Sequence, residues 1–313
     1  MTLRTFQRLA WGNLAYNLAV IAWGAFVRAT GSGAGCGEHW PLCNGTVIQR
    51  APRIETLIEL THRVTSGLAL VFVVALVFFA HRALPKGHAA RGGAWASLGL
   101  MIVEALLGAG LVLLGLTDKN DTIARAVAMA LHLVNTLLLL GALTLTAYWA
   151  SGGAPPKRRG QGLVGGMVVL GLLAMLVLGA SGAVTALGDT LFPAGSLREG
   201  FAQDFSPTAH ILLRLRILHP LIAMGTGAWL LVTSVTAAAL RRNRVVRRAA
   251  LALVGLFVIQ LVAGVANLVL LAPVWLQLVH LLLADLVWIS LVILGGAVAG
   301  EPEPHAAPAL EAA

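Results

Sequence analysis

Charge is what this 313-residue chain has least of: only 11% of its residues are Asp, Glu, Lys or Arg, against 58% that are apolar. Soluble domains carry about 25% charged residues, so no soluble globular fold fits. The charges that exist separate apolar runs of about 20 residues or more, the length a helix needs to cross roughly 30 Å of hydrocarbon. Strand-like alternation of apolar and polar residues is missing from these runs, which argues against a membrane β-barrel. Cysteine is nearly absent, with Cys36 and Cys43 the only two. Thiols and carboxylates form no cluster, so zinc lacks the ligands to complete its coordination. No cleavable leader is expected either: the first apolar run, from about Trp11, is long and leads into a functional-looking loop, so it reads as a spanning helix. A short chain without an organelle presequence points to a bacterial plasma membrane.

Acidic residues are outnumbered by basic ones, 13 to 22, for a net charge of +9. A nucleic-acid partner would be one reason for such a balance, but the positions of the charges give another. With eight spanning helices, thirteen basic residues fall on one side: Arg4, Arg8, Arg82, Lys86, Arg91, Lys157, Arg158, Arg159, Arg241, Arg242, Arg244, Arg247 and Arg248. Six fall at or beyond the other: Arg28, Arg50, Arg53, Lys119, Arg125 and Arg198. The acids Glu38, Glu55, Asp118, Asp121, Asp189, Glu199 and Asp204 join the smaller set. The side richer in Lys and Arg is expected to be cytoplasmic, with both termini. The excess is thus a topology signal, and no nucleic-acid role follows.

The apolar periodicity predicts helices over roughly 11–29, 57–80, 94–116, 124–148, 162–187, 209–239, 249–271 and 274–299. Residues 151–161, rich in Gly, Pro and basic side chains, form a linker. The Pro, Ala and Glu-rich tail, 300–313, is expected to be disordered. The linker separates similar halves, 1–150 and 162–299. GAFVRATGSG from Gly24 resembles GASGAVTALG from Gly179, His62 aligns with His219, IVEALLGAGLVLL from Ile102 with VIQLVAGVANLVLL from Val258, and His132 with His280. The offsets are 155, 157, about 156 and 148 residues. Four helices per copy is an even number, so the copies share one orientation across the membrane. The expected fold is an all-α membrane protein: eight transmembrane helices as two pseudo-symmetric four-helix bundles.

Four histidines, His62, His132, His219 and His280, stand inside apolar helices at matched depth, toward the outer side. Ionisable residues there are rare and mark function. One alone would be more simply a helix–helix contact; four, paired by the repeat, point to axial ligands of heme iron held between facing helices. The chemistry around them is asymmetric. Glu59 stands three residues before His62, and Arg216 three before His219. A carboxylate beside one heme suits proton handling; a guanidinium beside the other suits a propionate. The competing reading of Glu59 is an i,i+4 pair with Arg63. Glu104, aligned with Gln260, is either a second buried acid or a helix–helix contact, and Asp285 either functional or a hydrogen-bonding group. His39, His81, His88, His210 and His305 read as surface or interfacial. The outer loop GSGAGCGEHWPLCNG, Gly31–Gly45, places Cys36 and Cys43 seven positions apart, close enough to bridge, as a structural staple or as a redox pair.

These features resemble the heme A synthase family. The likeness rests on GAFVRATGSGAGCGEHWPLCNG at Gly24–Gly45, IELTHR at Ile58–Arg63, and the later single histidines, and it runs through nearly the whole chain. It implies an oxidoreductase that converts a methyl group of heme O to the formyl group of heme A for terminal oxidase biogenesis. It implies a heme b cofactor on His219 and His280, substrate heme on His62 and His132, an essential glutamate at Glu59 and a cysteine pair at Cys36 and Cys43. Some members carry a second cysteine pair between the fifth and sixth helices; Gly188–Ala209 contains none. Implied partners are heme O synthase, cytochrome oxidase assembly factors and the lipid bilayer; a homo-oligomer is compatible. Two alternatives stand beside this: a diheme cytochrome b passing electrons from quinol, and a membrane heme transporter or chaperone.

Overall fold

A computed structural model describes residues 2–47, 49–157, 161–241 and 243–300. The expectations for Arg158, Arg159, Arg242, His305 and the tail from Glu301 lie outside the described residues. Among the described residues the regular structure is helical: α1 (Leu3–Ala29), α2 (Ile54–Ala83), α3 (Ala89–Leu113), α4 (Ile123–Ala150), α5 (Gly162–Leu191), α6 (Leu197–Asp204), α7 (Ile211–Arg216), α8 (Leu218–Leu240), α9 (Arg244–Val269) and α10 (Val274–Gly300), with a 3-10 turn at Ser32–Ala34. Starts are written in the sequence: the side chains of Thr2, Thr122, Ser196 and Asn243 each accept a first-turn N–H, satisfying donors the helix cannot.

Seven helical segments are long and apolar enough to cross a membrane: α2, α3, α4, α5, the joined α7–α8 stretch, α9 and α10. This is the fold of a multi-pass membrane protein. The eighth expected span, α1, is 27 residues long but carries Gln7, Arg8, Asn13 and Asn17; it is not among the seven. The two asparagines are buried, and Asn13 donates to the Phe72 carbonyl of α2 at 2.8 Å.

The sixth expected helix, 209–239, is present as one spanning stretch, Ile211–Leu240. Its hydrogen-bond ladder is interrupted at Ile217, between α7 and α8, and the eight-residue α6 precedes it. Pro220 accounts for the break: it has no N–H for the Arg216 carbonyl four residues back, and its ring would collide with that oxygen. The proline therefore sits in the first turn of α8, where no donor is required.

Packing order recurs. α1 packs on α2, α2 on α3, α3 on α4 and α4 back on α1; α5, α8, α9 and α10 repeat the cycle. The two sets meet through α4–α5, α4–α10 and α1–α10. α10 is the most enclosed span, 61% of its most apolar window being buried against 22% for α3, so α10 lies at the centre and α3 at the edge. Trp288 and Arg28 are among the described residues that tie the two sets together across their seam. The Trp288 indole N–H donates to the Leu137 carbonyl at 2.6 Å. Arg28, at the end of α1, donates to the Ala186 carbonyl, Thr190 and Gln277 at 2.6–2.8 Å.

Candidate functional site

His62, His132, His219 and His280 lie near the N-terminal ends of α2, α4, α8 and α10. At 1.5 Å per residue they stand roughly 9–14 Å in from the starts of α2, α4, the joined α7–α8 stretch and α10. Contacts such as Arg28 with Thr190 and Gln277 gather these starts at one end of the molecule, the end that carries the cysteine loop. His62 and His132 lie on α2 and α4 of the first packing cycle, His219 and His280 on α8 and α10 of the second.

Each ring rests against a glycine of the neighbouring helix. A methyl at Gly24 would fall 2.8 Å from His62 Cε1, at Gly182 3.1 Å from His219 Cε1, at Gly264 3.1 Å from His280 Cε1, and at Gly108 3.9 Å from His132 Cε1. Glycine is needed at the first of these to let the ring lie flat on the helix. The first repeat match shifts accordingly: Gly24 corresponds to Gly182 rather than Gly179, whose missing methyl faces Leu137 instead.

The ring nitrogens show what these sites lack. Nδ1 of His62, His132 and His280 is buried without a hydrogen-bond partner. A buried polar atom left unpaired costs free energy, and three of them in facing apolar helices suit imidazoles that await an external partner. At His219, Nδ1 lies 2.9 Å from the Ser181 hydroxyl, which leaves Nε2 for a metal and fixes the ring. Two imidazoles per half, glycine-opened walls and apolar surroundings fit a heme iron in each half.

Glu59 is buried, and both of its oxygens are occupied. Oε2 accepts the Cys36 backbone N–H at 2.8 Å, and Oε1 accepts Nε and Nη2 of Arg63 at 3.1 and 2.5 Å. Arg63 also donates from Nη1 to the His39 and Leu42 carbonyls at 2.5 and 2.8 Å. The i,i+4 pair is present, and it clamps the cysteine loop over the start of α2. Within that loop the Cys36 and Cys43 sulfurs are 1.99 Å apart, at bonding distance, and both residues are buried.

Arg216 ends α7 and meets two acids, Asp204 through Nε and Nη2 at 2.9 and 2.5 Å, and Asp189 through Nη1 at 2.8 Å. Three of its five N–H groups are engaged, leaving two for another acceptor. Sequence reasoning did not foresee Asp189 and Asp204 as its partners, because α6 and the break before α8 bring them near.

Glu104 lies with its Oε1 3.7 Å from His132 Nε2. Asn135 donates to its Oε2 at 2.6 Å and Thr136 to its Oε1. In the other half Gln260 Nε2 is 3.2 Å from His280 Nε2. The aligned pair thus touches the aligned histidines. Asn135 and Thr136, three and four residues past His132, were the missed signal: polar groups on one face of an apolar helix. Asp285 is wholly buried with neither oxygen hydrogen-bonded.

A family model described as cytochrome oxidase assembly protein (COX15-CtaA) matches residues 7–292. A Thermus thermophilus protein named protoheme IX farnesyltransferase is 56% identical over 285 residues, 91% of this chain and 47% of that protein. A second strain of the same species has a counterpart at 55% with the same coverage. This chain spans about half the length of these two relatives. A Staphylococcus saprophyticus protein named heme A synthase is 27% identical over 277 residues, 85% of this chain and 86% of its own length.

Proposed function

The chain belongs to the cytochrome oxidase assembly protein family, and on that premise we propose that it is a heme A synthase, an oxidoreductase that turns a methyl group of heme O into the formyl group of heme A. The observation that carries this is the set of four histidines, two per half, three of them with a buried and unpartnered Nδ1. Substrate heme is assigned to His62 and His132, resident heme b to His219 and His280, and Arg216 to a propionate of the latter. Heme b, when bound, supplies a one-electron redox centre. The protein's own part is to hold the substrate ring between α2 and α4, keep water out, and place Glu59 a helical turn from His62. Methyl oxidation releases protons as well as electrons, and a carboxylate at that position takes up or relays them.

The finer organisation follows the same reading. α1 completes eight spans, arranged as pseudo-symmetric bundles 1–150 and 162–299 about the 151–161 linker. Both termini face the cytoplasm of a bacterium, and the histidine-bearing end faces the outer leaflet of its plasma membrane. Heme O synthase is the supplying partner, since an insoluble substrate gains from direct transfer.

The Thermus relatives carry a different printed name, protoheme IX farnesyltransferase, at higher identity. That name belongs to polypeptides about twice as long as the matched region, whereas the Staphylococcus heme A synthase is matched over 86% of its length. Mass spectrometry of heme extracted after incubation with heme O decides. A formyl product supports the reading; a farnesylated product made from protoheme, or no change of mass, overturns it. H62M and H132M should abolish conversion while sparing the heme b absorbance, and H219M and H280M should remove that absorbance.

A further inference from the structure

We propose that Glu104 is a positioning carboxylate that sets the two heme sites at different reduction potentials. This rests on the assignment of a heme to His132. Both carboxylate oxygens are hydrogen-bonded, by Asn135 and Thr136, so the side chain is aimed. Its Oε1 is 3.7 Å from His132 Nε2. The donors lie on the histidine's own helix, α4, so carboxylate and imidazole are fixed relative to each other although Glu104 belongs to α3.

The other half supplies the control. Gln260 occupies the matching place on α9 and meets His280 Nε2 at 3.2 Å. The two side chains have nearly the same size and reach and differ by one negative charge. A fixed negative charge beside an axial imidazole favours ferric over ferrous iron, through direct Coulombic attraction and through a more electron-rich ligand. Charge near the ligand is one of the levers by which proteins tune heme potentials. Glu104 therefore makes the heme on His62 and His132 the easier to oxidise, and Gln260 leaves the heme on His219 and His280 the easier to reduce. Electrons leaving the first half then run downhill to the second.

The test is a spectroelectrochemical titration of the full-length protein, purified in detergent and loaded with iron protoporphyrin IX in both halves. E104Q is expected to raise the lower midpoint potential by about 59 mV, the one-electron equivalent of a tenfold loss of ferric preference. Q260E is expected to lower the higher one. A purely structural Glu104, tying α3 to α4, would reduce the melting temperature and leave both potentials in place. An unmoved first-half potential in E104Q overturns the proposal; if E104Q does not accumulate, an unmoved second-half potential in Q260E does. H132M separates this from the underlying assignment. If H132M keeps both heme signals, the heme site itself is misassigned; if it loses one while E104Q shifts nothing, only the role of Glu104 is wrong.

Discussion

The first and second halves share a scaffold and differ at the points where chemistry is done. Both have the same cycle of packed helices, a histidine near the start of the second and fourth, and a glycine against each ring. The differences fall at matched positions around the histidines: Glu59 against Arg216, Arg63 against Pro220, Glu104 against Gln260. In the first half the Glu59–Arg63 pair grips a disulfide-closed loop. In the second the proline breaks the helix, and Arg216 at the break gathers two acids. The two cycles of helices thus carry an acidic, clamped surround at one histidine and a basic one at its counterpart.

The largest effects are expected from neutralising the matched charges. E59Q keeps size and hydrogen bonding but removes the ionisable group. Heme A formation should fall roughly 100-fold or more, the usual weight of a positioned acid–base group, with heme b retained and heme O or a hydroxylated intermediate accumulating in extracts. R216Q should act in the opposite half, weakening heme b retention and losing turnover in proportion. Equal losses in E59Q and R63Q would reduce Glu59 to the loop's clamp.

A smaller effect is expected from replacing Cys36 and Cys43 with serine. A disulfide contributes typically about 2–4 kcal/mol, so the melting temperature should drop. The loop remains held through the Cys36 N–H and the two carbonyls bound by Arg63, so turnover per folded molecule should survive. A well-folded but inactive double variant would mean that the sulfurs carry electrons.

The glycine cradles give a graded series. G24A meets His62 at 2.8 Å and should cost about 1–3 kcal/mol as an overpacked contact, losing first-half heme. G182A and G264A, at 3.1 Å, should weaken second-half heme less, and G108A, at 3.9 Å, should behave as wild type. Heme content by absorbance reads the order; a reversed order would show that the rings turn away when heme binds.

The smallest change should come from Asp285. Leu137 is its counterpart by the spacing of His132 and His280, and a buried group with no partner costs about 1–3 kcal/mol. D285L should raise the melting temperature with no loss of product. Lost activity in a stabilised variant would give the carboxyl a function.

The apolar runs make an all-helical, multi-pass fold legible in the chain, with seven of the eight expected spans present. The Glu59–Arg63 contact followed from i,i+4 spacing alone. What lay beyond reach had tertiary causes. The Cys36 N–H on Glu59 depends on how the loop folds back, and the Asp189–Arg216–Asp204 cluster depends on α6. The break at Ile217 was written in Pro220 but hidden by an apolar run that continues on both sides. The glycine register, three residues from the sequence match, emerged only when rings met helices.

The ties across the seam bear on whether the molecule can be severed. The linker enters close to the end of α10, with the Lys157 N–H on the Ala299 carbonyl at 2.8 Å. A cut there spares every helix but leaves Arg28 of one fragment reaching for Ala186, Thr190 and Gln277 of the other, and Trp288 for Leu137. Donors stranded in hydrocarbon are costly, so separately made fragments have reason to find each other again inside the bilayer. Co-expressed as two polypeptides, they should reassemble with Arg28 as the latch.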